Sequence, residues 1–253
     1  MLSELPQYQV LFRLADDKPW RAEDGRALLG QLFKGDPSES IATLFHHHTD
    51  GSLVSAMPTI RFRGGQGFFG IVAIGEKAVD TLQSIDHVLR RRLSEHLGRP
   101  IRAELSDTNV SVSLAERMRS YRAHMVVFAR KHRAMKTVFE APDDQLQMHL
   151  RRMVIRDIRT QAETLGLELP AEQFPFQIVD VGRRSRIPLN KEGQRLYVGA
   201  VKYIDIVTTL DFKGHWALGG LQNRGFGGLR LKPPAMRANP PVIPATGDLY
   251  AQL

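Results

Sequence analysis

Cysteine is absent from the 253 residues. Disulfides and cysteine-ligated zinc are therefore excluded, and the chain suits a reducing compartment. No stretch approaches the roughly 20 apolar residues of a membrane span. The longest apolar runs, such as Phe68–Ile74, are strand-sized. Met1–Gln9 lacks a basic start and an apolar run, so no targeting segment is expected and the cytoplasm is the expected location. Several catalytic signatures are also missing. Gly64-Gly65-Gln66-Gly67 follows an apolar run but precedes another, so it signals a hairpin and not a phosphate-binding loop. Neither a G-x-S-x-G elbow nor H-E-x-x-H occurs, and the acidic residues are scattered without a pairing suited to two magnesium ions.

Acidic residues are the scarcer charge, 27 Asp+Glu against 35 Lys+Arg, giving a net charge of +8. This balance favours a polyanionic partner, nucleic acid or an anionic membrane surface. Apolar residues make up 42%, enough for one large domain or two of ordinary size.

Periodicity assigns the first half. Tyr8–Leu14 alternates as a strand, and Glu23–Phe33 has helical spacing. Met57–Arg63 and Gly67–Ile74 form a strand pair joined through Gly64-Gly65-Gln66. Glu76–His96 carries Val79, Leu82, Ile85, Val88, Leu89 and Leu93 on one helical face, and Ile101–Leu105 and Val110–Val112 read as closing strands. The order β-α-β-β-α-β is the ferredoxin-like unit. The second half loosely repeats it. Tyr121–Ala129 reads as a strand, and Asp143 or Asp144 starts a helix to about Gly166 with an apolar stripe of Leu146, Leu150, Val154 and Ile158. Phe176–Val181, Leu196–Thr209 and the residues from Trp216 onward supply further strands. The expected fold is α+β with two ferredoxin-like domains, 1–115 and 116–253, and a Pro-rich extended tail from Lys232.

Three features carry the chemistry. The first is Gly219–Arg230, with Gly219, Gly220, Gly225, Gly227, Gly228, Arg224 and Arg230 and no acidic residue. Such a segment is either a tight glycine turn or a loop whose backbone and arginines contact phosphate. The second is a basic second half. Arg151, Arg152, Arg156 and Arg159 lie on or beside one face of the long helix, and Arg183, Arg184 and Arg186 form a basic loop after a strand. A solvated face usually mixes signs, whereas this one is mostly positive and favours nucleic acid. The third is His46-His47-His48. In an extended segment His46 and His48 share a side, fit to act as general base and general acid. A polar loop and a metal site are the alternatives, the latter without a third ligand in view.

Leu44-Phe45-His46-His47-His48-Thr49-Asp50-Gly51, followed by Met57–Arg63 and by Phe69-Gly70-Ile71-Val72-Ala73-Ile74-Gly75-Glu76, resembles a block of the CRISPR-associated repeat-processing endoribonucleases. These belong to the RAMP superfamily of tandem ferredoxin-like domains, and the resemblance is to the branch with paired histidines. That branch continues its strand with an aromatic residue and Lys, where this chain has Arg61 and Arg63. Gly219, Gly220 and Arg224-Gly225-Phe226-Gly227 are similar to the superfamily's C-terminal glycine-rich loop, which lies beside bound RNA and is shared with non-catalytic subunits. The resemblance implies His46 and His48 as the cleavage pair, and arginines and glycine-loop amides on the phosphate. It further implies CRISPR repeat RNA and guide RNA as partners, possible assembly with effector subunits, and no metal, small-molecule cofactor or membrane. A non-catalytic subunit holding guide RNA is the alternative, followed by a general RNA-binding protein or a metal-dependent nuclease.

Overall fold

Alternating apolar and polar residues at the N-terminus build β1 (Glu4–Arg13), whose Tyr8, Val10 and Phe12 are buried. The computed structural model describes residues 3–14, 18–50, 52, 54, 57–130, 134–170, 174–191 and 194–233. The expected Pro-rich tail therefore lies almost wholly outside the described residues. The chain divides into two units: Met1–Ser111 with Thr164–Leu167 and Leu221–Gly225, and Val112–Glu163 with Glu168–Gly220 and Phe226–Leu253. No helix among the described residues is long and apolar enough to cross a membrane.

In the first unit β1 is followed by α1 (Ala22–Leu32), a short α2 (Glu39–Leu44), β2 (Ile60–Gly65), β3 (Phe68–Ile74), α3 (Glu76–Leu97) and the start of β4 (Arg102–Ala129). The strands run antiparallel in the order β2-β3-β1-β4. Register places Val10 opposite Ile71 and Phe12 opposite Phe69. Those side chains, with Ile60 and Phe62 of β2, pack against Leu29 of α1 and Leu82, Leu89 and Leu93 of α3. Each fully buried side chain of this kind contributes about 1.5–3 kcal/mol. Apart from α2, this is the ferredoxin-like order. The β2–β3 turn is Gln66-Gly67, with Gly67 at φ 66°, so Gly64 and Gly65 end the strand and do not form the turn.

The second unit contains the rest of β4, α4 (Asp143–Leu165), β5 (Phe176–Val181), β6 (Arg184–Lys191), β7 (Gln194–Lys213) and β8 (Leu229–Leu231). Strand β7 is hydrogen-bonded to β4 and β5, and β6 and β8 pair with β7 and β4. The expected stripe of α4 is buried together with Met153, Ile155 and Ala162.

Three assignments change. The expected strands Ile101–Leu105, Val110–Val112 and Tyr121–Ala129 merge, all but Ile101, into one 28-residue strand. Pairing of Arg102–Ser111 with β1 overrides the weak strand propensity of the polar run Ser106–Asn109. The Arg183–Arg186 stretch is not a loop, because β6 begins at Arg184 and pairs with Leu196–Val201. Trp216 does not open a strand. It is buried in a connecting segment with its Nε1–H on the Lys213 carbonyl at 3.0 Å, and the strand comes later, at β8.

Candidate active site

The histidine cluster forms the C-terminal cap of α2. The His46 N–H donates to the Thr43 carbonyl at 3.0 Å and the His47 N–H to that of Ala42 at 2.9 Å. His46 has φ 62°, in the left-handed region. This bond pair with a left-handed residue is the Schellman motif, and histidine is among the side chains that tolerate the position. The chain then folds back, with the His48 N–H on the Ser52 carbonyl at 2.8 Å and the Val54 N–H on the His46 carbonyl at 3.2 Å. The extended geometry inferred for His46 and His48 is therefore replaced by a turn. The i, i+2 alternation that put both side chains on one side does not apply through a left-handed residue. His46 and His47 are half-buried and His48 is exposed. Asp50, kept below the usual carboxylate range by the Ser52 hydroxyl and N–H, also feels the charge of His48.

Helix α1 presents a second group to this turn. Its N-terminus is held by a backbone bond from Trp20 to Gly65 of β2 at 2.9 Å and by the mutual bonds of Arg21 and Asp24. Arg26, one turn along, places its guanidinium over the Phe45 ring at 5.3 Å and donates to the Phe45 carbonyl at 3.2 Å, directly before His46. The Arg26 Nε is buried and has no hydrogen-bond partner among the described residues. Burial, with the nearby charge of Arg224, brings the Arg26 pKa down to about 10. Arg26 was not singled out in the sequence. Its only signal there is the i, i+3 spacing from Glu23.

Arg224 reaches the same unit through the glycine-rich segment. Leu221 (φ 61°) and Gly225 (φ 85°) bracket a single 3₁₀ turn, Gln222–Arg224. A Cβ on Gly225 would overlap the Ala22 Cβ and lie 2.8 Å from the Phe62 carbonyl oxygen, so only glycine seats this turn against α1 and β2. The Arg224 guanidinium then lies 3.7 Å from the Glu23 carboxylate. Glu23 is pushed above the usual carboxylate range, mainly by burial.

The remaining predicted residues lie in the second unit. The N–H groups of Gly219, Gly220 and Gly227 bond to Asp157 (2.6 Å), Val127 (2.8 Å) and His124 (2.8 Å), and that of Gly225 bonds to Gln222 (3.0 Å). These four amides are thus hydrogen-bonded within the protein. Asp157 is buried and raised above its ordinary value by that burial, and it anchors the segment to α4. Gln161, one turn later, bonds both backbone groups of Ala217. On the opposite face of α4, Arg152 and Arg156 are exposed and Arg151 and Arg159 half-buried. Arg156 also contacts Asp157 at 3.1 Å. Arg184 is bound to the carbonyls of Phe139 and Ala141 (2.8 and 2.6 Å) and to Asp143. Arg186 pairs with Glu140 at 2.9 Å, whereas Arg183 and Arg230 are exposed. Tyr8 directs its hydroxyl to Asp86 at 3.4 Å. Among the described residues, no group of three His, Cys, Asp or Glu side chains is placed to hold a metal ion.

The architecture is that of tandem ferredoxin-like CRISPR endoribonucleases. The chain is similar to a solved structure of Csf5, a CRISPR-Cas type IV Cas6 crRNA endonuclease, with 18% identity and a TM-score of 0.72 over 90% of this chain and 99% of that one. It also resembles two Cas6b structures, one described as a CRISPR RNA processing endoribonuclease. They have 13% and 14% identity and TM-scores of 0.62 and 0.57, over 90% of this chain and all of theirs. No curated protein matches the sequence at a significant level. The model of the family of type IV CRISPR-associated endonucleases named Csf5 matches residues 7–233, and the chain belongs to that family.

Proposed function

We propose that the protein cuts CRISPR precursor RNA within the repeat and retains the guide RNA it makes. The observation that carries this reading is the joining of three elements in the first unit: the histidine turn, Arg26 fixed on the carbonyl that precedes it, and Arg224 seated by Gly225. One histidine of the pair His46 and His48 draws the proton from the 2′-hydroxyl beside the scissile phosphate. That oxygen attacks phosphorus in line. The other histidine protonates the departing 5′ oxygen, leaving a 2′,3′-cyclic phosphate and a 5′-hydroxyl. Arg26 and Arg224 carry the charge that grows on the phosphorane, as fixed donors do in a partly dry site. The reaction needs no metal. The exposed arginines of α4, with Arg183 and Arg230, hold the RNA backbone, and such electrostatic binding keeps the product for assembly with effector subunits. These steps would take place in the cytoplasm.

The reading is tested by incubating native repeat RNA with the protein in EDTA, beside a substrate carrying one 2′-deoxy nucleotide at the cut. Cleavage of the first alone, with cyclic phosphate on the upstream product, is expected. Tight binding without cutting would instead identify a structural guide-RNA subunit, and cutting abolished by EDTA would identify a metal-dependent nuclease.

A further inference from the structure

Glu23 is the element of this cluster that the reaction does not use. It lies in the first turn of α1, three residues before Arg26 and 3.7 Å from Arg224, with both partners of that pair about one quarter exposed. The neighbouring Arg21 and Asp24 balance each other at 2.7 Å. With that pair set aside, the cluster around Glu23 holds one carboxylate and two guanidinium groups, Arg224 and Arg26, the latter with a buried Nε that has no hydrogen-bond partner among the described residues. A carboxylate between two arginines is the side-chain counterpart of a phosphodiester in the same place, since both offer paired anionic oxygens to planar donors. The seat of Gly225 fixes the backbone of Arg224 but not its four-torsion side chain.

We propose that Glu23 is a positioning residue for the cleavage reaction. While the site is empty, its carboxylate holds the Arg224 guanidinium over α1. When RNA enters, a backbone phosphate takes that guanidinium over. The inference rests on the reading of this cluster as the cleavage site. It has two consequences of opposite sign. The carboxylate competes with phosphate and so weakens binding of any RNA, and it pre-orients Arg224 and so speeds the step that follows.

The test is Glu23→Gln, which keeps shape and removes charge, alone and on an Arg224→Gln background. Affinity is measured with the 2′-deoxy repeat RNA and the single-turnover rate with the all-ribose repeat at saturation. Glu23→Gln is expected to bind about three- to tenfold more tightly and to cut about three- to tenfold more slowly. On the Arg224→Gln background the same change should shift neither value more than about twofold. A Glu23→Asp variant, which restores the charge, is expected to bind like wild type. Weaker or unchanged binding by Glu23→Gln, or an effect that persists in full without Arg224, would overturn the proposal. If wild type cuts and Glu23→Gln matches it, this inference alone falls. If wild type neither binds nor cuts, the cleavage reading falls with it.

Discussion

Replacing Gly225 by Ala separates the stability of the glycine-rich segment from its function. Any side chain at φ 85° costs about 1–2 kcal/mol in left-handed strain. The added methyl also overlaps the Ala22 Cβ and approaches the Phe62 carbonyl oxygen, and forcing it into place costs about 1–3 kcal/mol more. The segment has a less costly route. Lifting Leu221–Gly225 off α1 sacrifices the Arg224–Glu23 pair, about one quarter exposed and worth about 1 kcal/mol. Lifting therefore wins, and Arg224 leaves Glu23 and α1. Gly35 is the control, with nearly the same φ (83°) and nothing within 4 Å of an added Cβ. In urea melts Gly35→Ala is expected to lose about 1–2 kcal/mol and Gly225→Ala about 1–3 kcal/mol, the difference being the lost ion pair. In single-turnover cleavage Gly35→Ala should match wild type, whereas Gly225→Ala should lose about 10²-fold, the scale of one displaced transition-state donor. Equal cleavage rates for the two variants would refute the claim that this seat delivers a working arginine.

The arginines of the second unit should divide by their partners. Arg152→Ala removes an exposed charge and should reduce the salt dependence of repeat-RNA binding by about one phosphate contact, with stability unchanged. Arg184→Ala abandons two carbonyls and a carboxylate and should instead destabilise the protein by about 1–3 kcal/mol with the salt slope retained, as denaturation and salt-titrated binding would reveal. Asp157 has a raised pKa caused chiefly by burial, so its ionised form penalises the fold at neutral pH. That penalty is lifted as pH falls through the raised folded value and is gone below the ordinary value of about 4. Asp157→Asn, which keeps an acceptor for Gly219, should therefore be at least as stable as wild type at pH 7. Its advantage should vanish on acidification, as followed by urea midpoints across pH.

The elements readable in the sequence are those whose apolar period meets a single local partner. Alternation exposed β1, a short uninterrupted apolar run exposed β3, and the 3.6-residue stripes exposed α3 and α4, because each pattern matches the faces the element buries. Strand β4 was legible only in pieces. Its polar run pairs Thr108 with Gln7 and Asp107 with Tyr8, and the pairing is specified by β1, not by the run itself. Strand β6 was hidden because Arg-Ser-Arg is read as loop composition, yet its arginines lie beside acceptors at residues 139–143 that sequence distance conceals. The histidines were visible as residues but not as geometry, since a left-handed His46 depends on where the six-residue α2 stops. Arg26 was invisible for a related reason. It is one of 35 basic residues until the fold brings the ring and carbonyl of Phe45 to it.

Single-turnover cleavage by His46→Ala and His48→Ala, on repeat RNA bound beforehand and in EDTA, tests the central claim most directly. Each variant is predicted to bind the RNA as wild type does and to cut about 10²–10⁴-fold more slowly, the contribution of one acid or base. Cleavage within tenfold of wild type in both variants would contradict the assignment of the chemistry to this histidine turn.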